Sequence, residues 1–579
     1  MTDAASSRFH VELVFDELRA RRGEPACAVA AQRESIRRRL ILCGAGLVAA
    51  FALLGVRTTQ LALDVPAPDN PIVAGGEDLE PARIEDRDGR ALALTLRGVG
   101  LAVNGAEVWD AGETASGIAA IFPDVDPVRL AQRLEARERV VIDRVITDYQ
   151  RERILSLGLA GFSFPAAELR AYPHGRLFSH VIGYQIPGRG GVTGLEAAMT
   201  SRELSGPQRT TLDIAAQTIL LGELARAQDQ FRAKAAWGVL LNARTGAVAA
   251  LASLPDFDPN KPGASPAHAR RNRVVSDAYE LGSAFKPLTV AMAIEDGFVS
   301  LKTPVDVTSP LEVGDWAISD YSNKGNVLTV EEVLAYSSNI GTAQLALLLG
   351  EERFVGGLDA FGLTEPLTTS LAESGRALVP EVWGPAEIAT ASYGHGIAVS
   401  PLHLAAGFAA VVNGGERIRP RFLEADPVEA ERILSAETSR AMRRALRAAV
   451  THGTGGRAEA PGYYVIGKTA TADKPRAGGY DDDGPLISSF IGAFPGYDPE
   501  WVLLVSLDEP QGTAATSGLA TAGLTAAPVF RRVVERLAPV LGIMPAGEDV
   551  AADGFVTVLQ ERAPDGGSED GLAPIAEAR

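Results

Sequence analysis

The sequence predicts an α+β fold in which one antiparallel sheet is flanked by helices. Strand-like segments stand at both ends of the region from residue 223 to 545, and helix-like segments fill its middle. This separation of strands and helices favours an antiparallel sheet with helices packed against it. The length of 579 residues allows two or three domains, and a hydrophobic content of 46% supports real cores.

The strands of this region are predicted from apolar runs bounded by turns. Trp237–Asn242 and Ala247–Leu251 are two such runs, and the turn at Arg244-Thr245-Gly246 joins them into a β-hairpin. Further strands are predicted at Tyr463–Ile466 and Trp501–Leu507.

Helices and turns are predicted at the borders of this region. Before it, residues 81–222 are of mixed character; Asp88-Gly89 predicts a tight turn between short strands, and Ile214–Leu221 predicts an apolar helix at the end. At the C-terminal border, five apolar residues share one helical face and predict a helix that closes the domain. These residues are Val529, Phe530, Val533, Val534 and Leu537.

An apolar segment near the N-terminus predicts a membrane anchor. The run LILCGAGLVAAFALLGV, residues 40–56, is at the short end of what crosses a bilayer core of ~30 Å. Arginines precede it and acidic residues follow it, which places the N-terminus in the cytoplasm. We therefore expect a cytoplasmic tail at 1–39, a transmembrane helix at 40–60 and a linker at 61–80. A cleaved signal peptide and a buried soluble helix are the alternatives.

Composition excludes several classes of function. The net charge of −18 argues against a nucleic-acid partner. Both cysteines, Cys27 and Cys43, lie before or within the apolar segment, so the part beyond it folds without disulfides. The histidines show no metal-ligand spacing, and the sequence implies no metal and no cofactor. Residues 546–579 are acidic and rich in Gly and Pro, which predicts a disordered tail.

Three short motifs stand in a fixed order and carry the chemistry. They are Ser283-Ala284-Phe285-Lys286, Ser337-Ser338-Asn339 and Lys468-Thr469-Ala470. A Ser-x-x-Lys, a Ser-x-Asn and a Lys-Thr-Gly-like element in this order are typical of acyl-serine enzymes. Each motif alone is weak, because the first two are more often helix caps. Their order, spacing and context together indicate one active site.

The use of lysine supports this interpretation. Lysine and arginine total 55, and only seven of these residues are lysines. Arginine stays charged in proteins, whereas a desolvated lysine can lose its proton and act as a base. Ser283 is the only serine three residues before a lysine, and that lysine is Lys286.

The first motif predicts a nucleophile and its base. Pro287 is tolerated only in the first turn of a helix, so Ser283 is expected at a helix N-terminus, where developing negative charge is favoured. Residues three apart share a helix face, which would bring the Lys286 amine beside the Ser283 hydroxyl. A neutral lysine there could take the serine proton.

The other two motifs predict substrate contacts. Ser337 could relay a proton to a leaving amine, and Asn339 could hold a substrate amide. Lys468 and the Thr469 hydroxyl would bind the carboxylate of a peptide end, and the Thr471 N–H could complete an oxyanion hole with the N–H of the nucleophile.

With these motifs the chain resembles the class B penicillin-binding proteins, in particular the division-specific FtsI type, over roughly residues 80–545. Further segments fit that family: Arg271-Asn272-Arg273, Tyr279-Glu280-Leu281-Gly282-Ser283, Gly453-Thr454-Gly455, Asp256–Asn260, Ser392–Gly396 and Ala527-Pro528-Val529-Phe530. Within Ser392–Gly396, His395 is expected to line the cleft rather than bind a metal.

The resemblance implies a penicillin-binding transpeptidase fold at 223–545 on an elongated, non-catalytic pedestal at 81–222. It implies a septal peptidoglycan D,D-transpeptidase of the inner membrane, single-pass, with a periplasmic catalytic domain. Ser283 would be acylated by stem peptides or by β-lactams. The implied partners are an FtsW-type glycosyltransferase and the division complex.

Two residues depart from the family pattern. Leu281 replaces a proline, and Ala470 replaces the glycine of Lys-Thr-Gly. Residues 468 and 470 of a strand share a face, so Ala470 adds a methyl group beside Lys468. Three alternatives stay open: an elongation-type transpeptidase, a D,D-carboxypeptidase and a catalytically weak penicillin-binding scaffold.

Overall fold

A computed structural model describes most of the chain beyond residue 81. The described residues are 38, 41–45, 51–52, 82–202, 206–314, 316–322, 326–474 and 484–547, without the side chains of 143 and 144. The chain divides into two units, residues 1–78 and 79–579.

Few residues of the first unit are described, and those at 38, 41–45 and 51–52 are helical. Among the described residues, no helix is both long and apolar enough to span a bilayer. The predicted linker at 61–80, most of the predicted tail at 1–39 and most of the anchor at 40–60 lie outside the described residues. So does the predicted C-terminal tail beyond residue 547.

Helices and strands of the second unit are numbered in chain order. The helices are α1 (Ala111–Ala119), α2 (Pro127–Glu135), α3 (Asp148–Ser156), α4 (Ser179–Ile182), α5 (Gly194–Ser201), α6 (Ile214–Gln230), α7 (Lys286–Glu295), α8 (Val330–Tyr336), α9 (Asn339–Ala360), α10 (Pro385–Ala391), α11 (Pro401–Val412), α12 (Ala436–Thr451) and α13 (Ala526–Leu537). The strands are β1 (Ile84–Glu85), β2 (Ala91–Asn104), β3 (Arg139–Ile146), β4 (Phe162–Ser163), β5 (Ala166–Ala171), β6 (Gln185–Ile186), β7 (Gly190–Gly191), β8 (Gln208–Arg209), β9 (Ala235–Asn242), β10 (Val248–Leu254), β11 (Pro304–Asp306), β12 (Leu311–Val313), β13 (Trp316–Ile318), β14 (Val327–Thr329), β15 (Glu416–Ile418), β16 (Ala430–Arg432), β17 (Ile466–Asp473), β18 (Leu486–Phe494) and β19 (Trp501–Asp508).

Five strands form the central sheet, in the order β10-β9-β19-β18-β17, and each neighbouring pair is antiparallel. The register places Val239 opposite Leu504, and Lys468 opposite Ile491. Strand β19 is buried along its whole length because helices cover both faces of the sheet. The predicted α+β plan is confirmed.

The predicted β-hairpin is confirmed as β9 and β10. Its turn contains Gly246 at φ +70°, in the left-handed region that favours glycine. A Cβ at Gly246 would lie 2.1 Å from the carbonyl oxygen of Arg419. Glycine therefore allows the turn to form and another segment to pack directly on it.

Alternating side chains of β9 belong to two different cores, one on each face of the sheet. Trp237, Val239 and Leu241 join the core that contains residues of α7, α9 and α11. Ala236 and Leu240 join the opposite core, between the sheet and helices α6 and α13. This period of two is the expected geometry of a strand covered on both faces.

The closing helix is confirmed as α13. The five residues predicted to share its apolar face are all fully buried, in the same core as α6. Burial of such a face contributes about 1.5–3 kcal/mol for each large aliphatic or aromatic side chain.

The N-terminal part of the second unit carries its own small sheet. Strands β3, β2, β1 and β8 follow one another, and β4 and β5 also pair with β2. The predicted turn at Asp88-Gly89 is confirmed: the Asp86 carboxylate accepts the N–H groups of Asp88 and Arg90 at 3.0 and 2.8 Å. A separate core forms around Leu101 beneath α1 and α2.

Helix α6 is longer than predicted. It begins at Ile214 as expected but continues to Gln230, because Leu224 and Ala227 extend its buried face. The predicted border between residues 222 and 223 therefore falls inside this helix.

The strand predicted at Tyr463–Ile466 is wrong in its position. β17 begins at Ile466, and Tyr464 is in the left-handed region at φ +49°. The N–H of Tyr463 donates to the carbonyl of Ala460 at 3.0 Å, as in a turn. The apolar side chains at 463 and 465 reflect burial of Tyr463 and Val465 in the core beside α13, and not a β-strand.

Candidate active site

The serine of the first motif lies in a turn that leads into α7. Gly282–Ala284 form one 3₁₀ turn, and α7 begins at Lys286 with Pro287 in its first turn, as expected. Ser283 is half-buried, whereas Lys286 is fully buried. The serine therefore stands next to the helix N-terminus and is reachable from solvent.

The Lys286 amine is directed at the second motif. Its Nζ donates to the carbonyl of Ser337 at 2.5 Å, to the Ser337 hydroxyl at 3.2 Å and to Asn339 Oδ1 at 2.7 Å. The Ser337 hydroxyl in turn donates to Ser283 Oγ at 3.0 Å. The Ser337 hydroxyl thus bridges the base and the nucleophile. Direct contact between Lys286 and Ser283 was expected, but the Lys286 amine instead bonds to three oxygen acceptors on the second motif.

Ser337 occupies an unusual backbone conformation. It ends α8 in the left-handed region, at φ +66° and ψ +39°. A non-glycine residue there carries strain of about 1–3 kcal/mol and is typical of functional sites. The conformation reverses the chain between α8 and α9, so that the carbonyl and the hydroxyl of Ser337 both reach Lys286.

An aspartate that the sequence analysis missed holds the second motif. Asp320 Oδ2 accepts from the Ser338 hydroxyl at 2.6 Å, and Oδ1 accepts the N–H groups of Asn339 and Ile340 at 2.5 and 3.0 Å. The N–H groups of Asn339 and Ile340 have no acceptor within α9, because they lie at its start, where a negative charge is favoured. Asn339 Nδ2 also donates to the carbonyl of Ser319 at 3.2 Å.

The third motif lies on β17, the edge strand of the central sheet. Lys468 is fully buried, and its Nζ donates to the carbonyl of Thr469 at 3.1 Å. The hydroxyls of Thr469 and Thr454 are 2.5 Å apart. Thr471 is exposed, and its hydroxyl accepts the N–H of Ala522 at 3.0 Å.

Both buried lysines have lowered pKa values. Burial lowers the pKa of Lys468 to about 7. Burial also holds the pKa of Lys286 well below its usual value; the charge of Lys468 lowers it further, and the Asp320 carboxylate opposes these effects. A lysine in this state can accept a proton near neutral pH.

Small residues bring β17 against the turn that carries the serine. A Cβ placed on Gly282 would lie 3.2 Å from the Cβ of Ala472 and 3.5 Å from the carbonyl oxygen of Thr471. Ala470, two residues before Ala472 on the same face of β17, is buried as well. The structure therefore brings the three motifs together, as the sequence predicted.

Residues around His395 border the same turn. The N–H of Gly282 donates to the carbonyl of Gly394 at 3.2 Å, and His395 Nδ1 lies 3.4 Å from Glu280 Oε2. His395 is partly exposed, with 40% of its side chain accessible. It thus lies next to the segment that leads into Ser283.

Comparisons with known proteins agree with this arrangement. Residues 236–535 match the family model described as the penicillin binding protein transpeptidase domain. The "Probable peptidoglycan D,D-transpeptidase FtsI" of Caulobacter vibrioides is 37% identical over 488 residues, covering 81% of this chain and 82% of that protein. The "Peptidoglycan D,D-transpeptidase FtsI" of Escherichia coli K12 is 27% identical over 557 residues, covering 87% of this chain and 92% of that protein.

A solved structure shares the fold. Penicillin binding protein 3 of Mycobacterium tuberculosis, in complex with aztreonam, has a TM-score of 0.64 at 25% identity, covering 81% of this chain and 98% of that one. The family model spans more than half of this chain, and the Caulobacter relative is similar over four-fifths of it. The chain therefore belongs to the family of penicillin-binding proteins with a transpeptidase domain.

Proposed function

We propose that this chain is a septal peptidoglycan D,D-transpeptidase that crosslinks stem peptides through an acyl-enzyme on Ser283. The observation that carries this proposal is the hydrogen-bonded path from Ser283 through the Ser337 hydroxyl to the buried amine of Lys286. A buried lysine with a lowered pKa at one end of such a path can act as the general base.

Acylation begins when Ser283 Oγ attacks the carbonyl carbon of the penultimate D-alanine. The serine proton passes through the Ser337 hydroxyl to Lys286, and Lys286 then returns it through Ser337 to the amine of the departing D-alanine as the peptide bond breaks. The N–H groups of Ser283 and Thr471 stabilise the oxyanion, a contribution of about 10²–10³ in rate for each donor. The amine of a second stem peptide then attacks the ester and forms the crosslink; the bond to Ser283 Oγ breaks, and the proton lost by the amine restores the Ser283 hydroxyl. β-Lactams acylate the same serine.

Lys468 and Thr469 bind the terminal carboxylate of the donor stem, and Asn339 orients its amide. The Thr469 hydroxyl lies within 3.4 Å of Lys468 Nζ and is the group through which the buried charge reaches the substrate. A bound carboxylate would favour the charged form of Lys468. That charge in turn keeps the neighbouring Lys286 neutral, so substrate binding and activation of the base support each other.

The same proposal covers location and partners. The apolar segment at 40–60 anchors the chain in the inner membrane as a single span, with the arginine-rich N-terminus in the cytoplasm and the catalytic domain in the periplasm. Residues 81–222 act as the non-catalytic pedestal. An FtsW-type glycosyltransferase and the division complex bind through the anchor and the pedestal.

Labelling and turnover of the whole purified chain test the proposal. We expect fluorescent penicillin to label the wild type and not Ser283→Ala, and stem peptides to be crosslinked with release of D-alanine. Release without crosslinks would indicate a carboxypeptidase, and labelling without any turnover would indicate a scaffold. Depletion that stops elongation rather than septation would indicate an elongation-type enzyme.

Asp320→Ala is expected to slow acylation by roughly one to two orders of magnitude, because small displacements of catalytic groups are costly. The variant loses three hydrogen bonds that hold Ser338 and the start of α9, so Asn339 is no longer fixed relative to Lys286. The loss of this cap should cost about 1–2 kcal/mol of stability.

The acylation rate of Asp320→Ala is measured with fluorescent penicillin at a temperature below the unfolding midpoint of the variant. Asp306→Ala is a matched control. The Asp306 carboxylate accepts the N–H of Thr308 in an exposed turn that precedes α9 in the sequence. Equal acylation rates in the two variants would contradict the role of Asp320.

Ala470→Gly is expected to fold and to change acylation by several β-lactams. Removing the methyl group beside Lys468 relieves crowding, which costs ~1–3 kcal/mol in tight sites. Since about 1.4 kcal/mol corresponds to a tenfold change, this relief should raise the rates by roughly five- to 150-fold. Ala236→Gly, a buried alanine on the opposite face of the sheet, controls for the general effect of glycine in a strand. Unchanged rates for every β-lactam would refute the prediction.

A further inference from the structure

A loop beside the nucleophile contacts the residue before Ser283 and faces the Lys286 amine. The loop comprises residues 393–396. The carbonyl of Gly394 accepts the N–H of Gly282 at 3.2 Å, next to Ser283. The ring of Tyr393 lies 6.0 Å from Lys286 Nζ. The relative position of nucleophile and base therefore depends on where this loop lies.

The packing between the loop and the turn leaves no space for a side chain at Gly394. Gly394 is at φ +80°, and a Cβ there would come within 2.3 Å of the carbonyl oxygen of Gly282. Farther along, Tyr279 and Val399 exchange two backbone hydrogen bonds of 2.9 and 3.1 Å. Backbone contacts therefore join the segment before Ser283 to the segment that contains the loop, and a shift of the loop would shift the serine.

Two side chains fix the loop to the segment before Ser283. Glu280 Oε1 accepts the N–H of Gly396 at 3.1 Å, and Glu280 Oε2 lies 3.4 Å from His395 Nδ1. The ring of His395 stacks on that of Tyr393, with centroids 6.4 Å apart and planes at 23°. Contacts therefore run from Glu280 through His395 to Tyr393, which faces the Lys286 amine.

We propose that Glu280 and His395 are positioning residues that set the distance between the Ser283 hydroxyl and the relay of Ser337 and Lys286. This inference rests on the proposed acyl transfer. Neither residue needs to touch the substrate, since Glu280 acts on the turn and His395 acts on Tyr393. Their effect is on the alignment of the reacting groups.

Loss of the contact between Glu280 and His395 should affect the alignment of the reacting groups and the stability of the fold to different degrees. Glu280 and His395 are partly exposed, with 16% and 40% of their side chains accessible, and side-chain contacts open to solvent contribute little to stability. In contrast, a displacement of about 1 Å between reacting groups can cost on the order of a hundredfold in rate. A positioning pair should therefore affect acylation far more than unfolding.

Stopped-flow acylation of the whole chain by benzylpenicillin tests the proposal. We expect Glu280→Gln and His395→Asn each to lower the rate constant at saturating penicillin by at least roughly tenfold, with the binding constant unchanged. The unfolding midpoint should stay within about 2 °C of the wild type. Asp256→Asn is the matched control, because Asp256 is a carboxylate of similar exposure (17%) that pairs with Arg176. It should acylate at the wild-type rate.

The double variant of Glu280 and His395 gives a second readout. If the two residues act as one unit, their effects on the rate constant are not additive, and the double variant is little slower than the slower single variant. The proposal is overturned if either single variant acylates within about twofold of the wild type. It is also overturned if the decrease in acylation rate is no larger than the decrease in the fraction of folded protein. A wild type that penicillin does not acylate would instead refute the proposed function.

Discussion

Replacing Lys286 by arginine is expected to lower the rate of penicillin acylation by about 10²–10⁴, the usual contribution of a general base. Arginine is always charged and cannot accept a proton, so the Ser283 proton has no acceptor at the end of the Ser337 relay. The measurement is the second-order rate of labelling by fluorescent penicillin, with Ser283→Ala as the baseline.

Two further variants separate chemistry from folding. Lys302→Arg makes the same substitution at an exposed lysine of the same domain and should acylate like the wild type. Because Lys286 is fully buried, arginine could be too large, whereas Lys286→Met keeps a similar volume without a charge to desolvate. A folded methionine variant that still acylates at more than about a tenth of the wild-type rate would refute the role of Lys286 as base.

The pH dependence of acylation follows from the same two lysines. The lowered pKa of Lys286 means that its neutral, proton-accepting form is lost only when the pH falls below that pKa, so the rate should decline on the acid side. Lys468 must be charged to bind a carboxylate, and its pKa is about 7, so the rate should also decline as the pH rises beyond that value. The profile is expected to be bell-shaped, and Lys286→Arg should lack the acid limb.

Periodicity alone was enough to predict the elements with a continuous apolar pattern. The hairpin of β9 and β10 and the buried face of α13 follow from side-chain spacing, because burial on one or two faces leaves a regular signal in the sequence. The same signal failed at Tyr463. There, apolar residues are buried beside α13 although the backbone turns at Tyr464, and composition does not distinguish a buried turn from a strand.

Motif spacing predicted which residues meet at the site but not how they are held. Ser283, Lys286 and Asn339 could be grouped because the catalytic types recur in a fixed order. Asp320 could not, since it lies 18 residues from its partner Ser338 in a segment without a motif. The bridging position of Ser337 also depends on a left-handed backbone at a serine, which residue type alone does not indicate.

Glu223→Gln is expected to lower the stability of the catalytic domain by about 3 kcal/mol, at the low end for a broken buried ion pair. The Glu223 side chain is fully buried on α6 and accepts from Arg532 at 2.8 Å and from Arg536 at 2.6 Å, both on α13. The three arginines around Glu223, including Arg226, are themselves partly exposed and keep part of their hydration, which limits the loss.

The pKa of Glu223 predicts how the stability difference between the wild type and Glu223→Gln changes with pH. Burial raises this pKa, but the hydrogen bonds from Arg532 and Arg536 outweigh burial, and the net effect is a lowered pKa. The carboxylate therefore stabilises the fold above the pKa of an unfolded glutamate, about 4.3. This contribution is lost as the pH falls through the lowered, folded-state pKa. The difference between the wild type and Glu223→Gln should shrink in acid.

Thermal or urea unfolding of Glu223→Gln measures the loss, and Glu535→Gln is the matched control on the same helix. Glu535 pairs with Arg531 one turn away at an exposed surface, where such pairs contribute about 0–1 kcal/mol. Equal stabilities of the two variants would show that α6 and α13 are not held by Glu223. Because this pair lies on the face of the sheet opposite α7, we expect the folded Glu223→Gln to acylate like the wild type, in contrast to Lys286→Arg. Stability and acyl transfer thus depend on charges on opposite faces of one sheet.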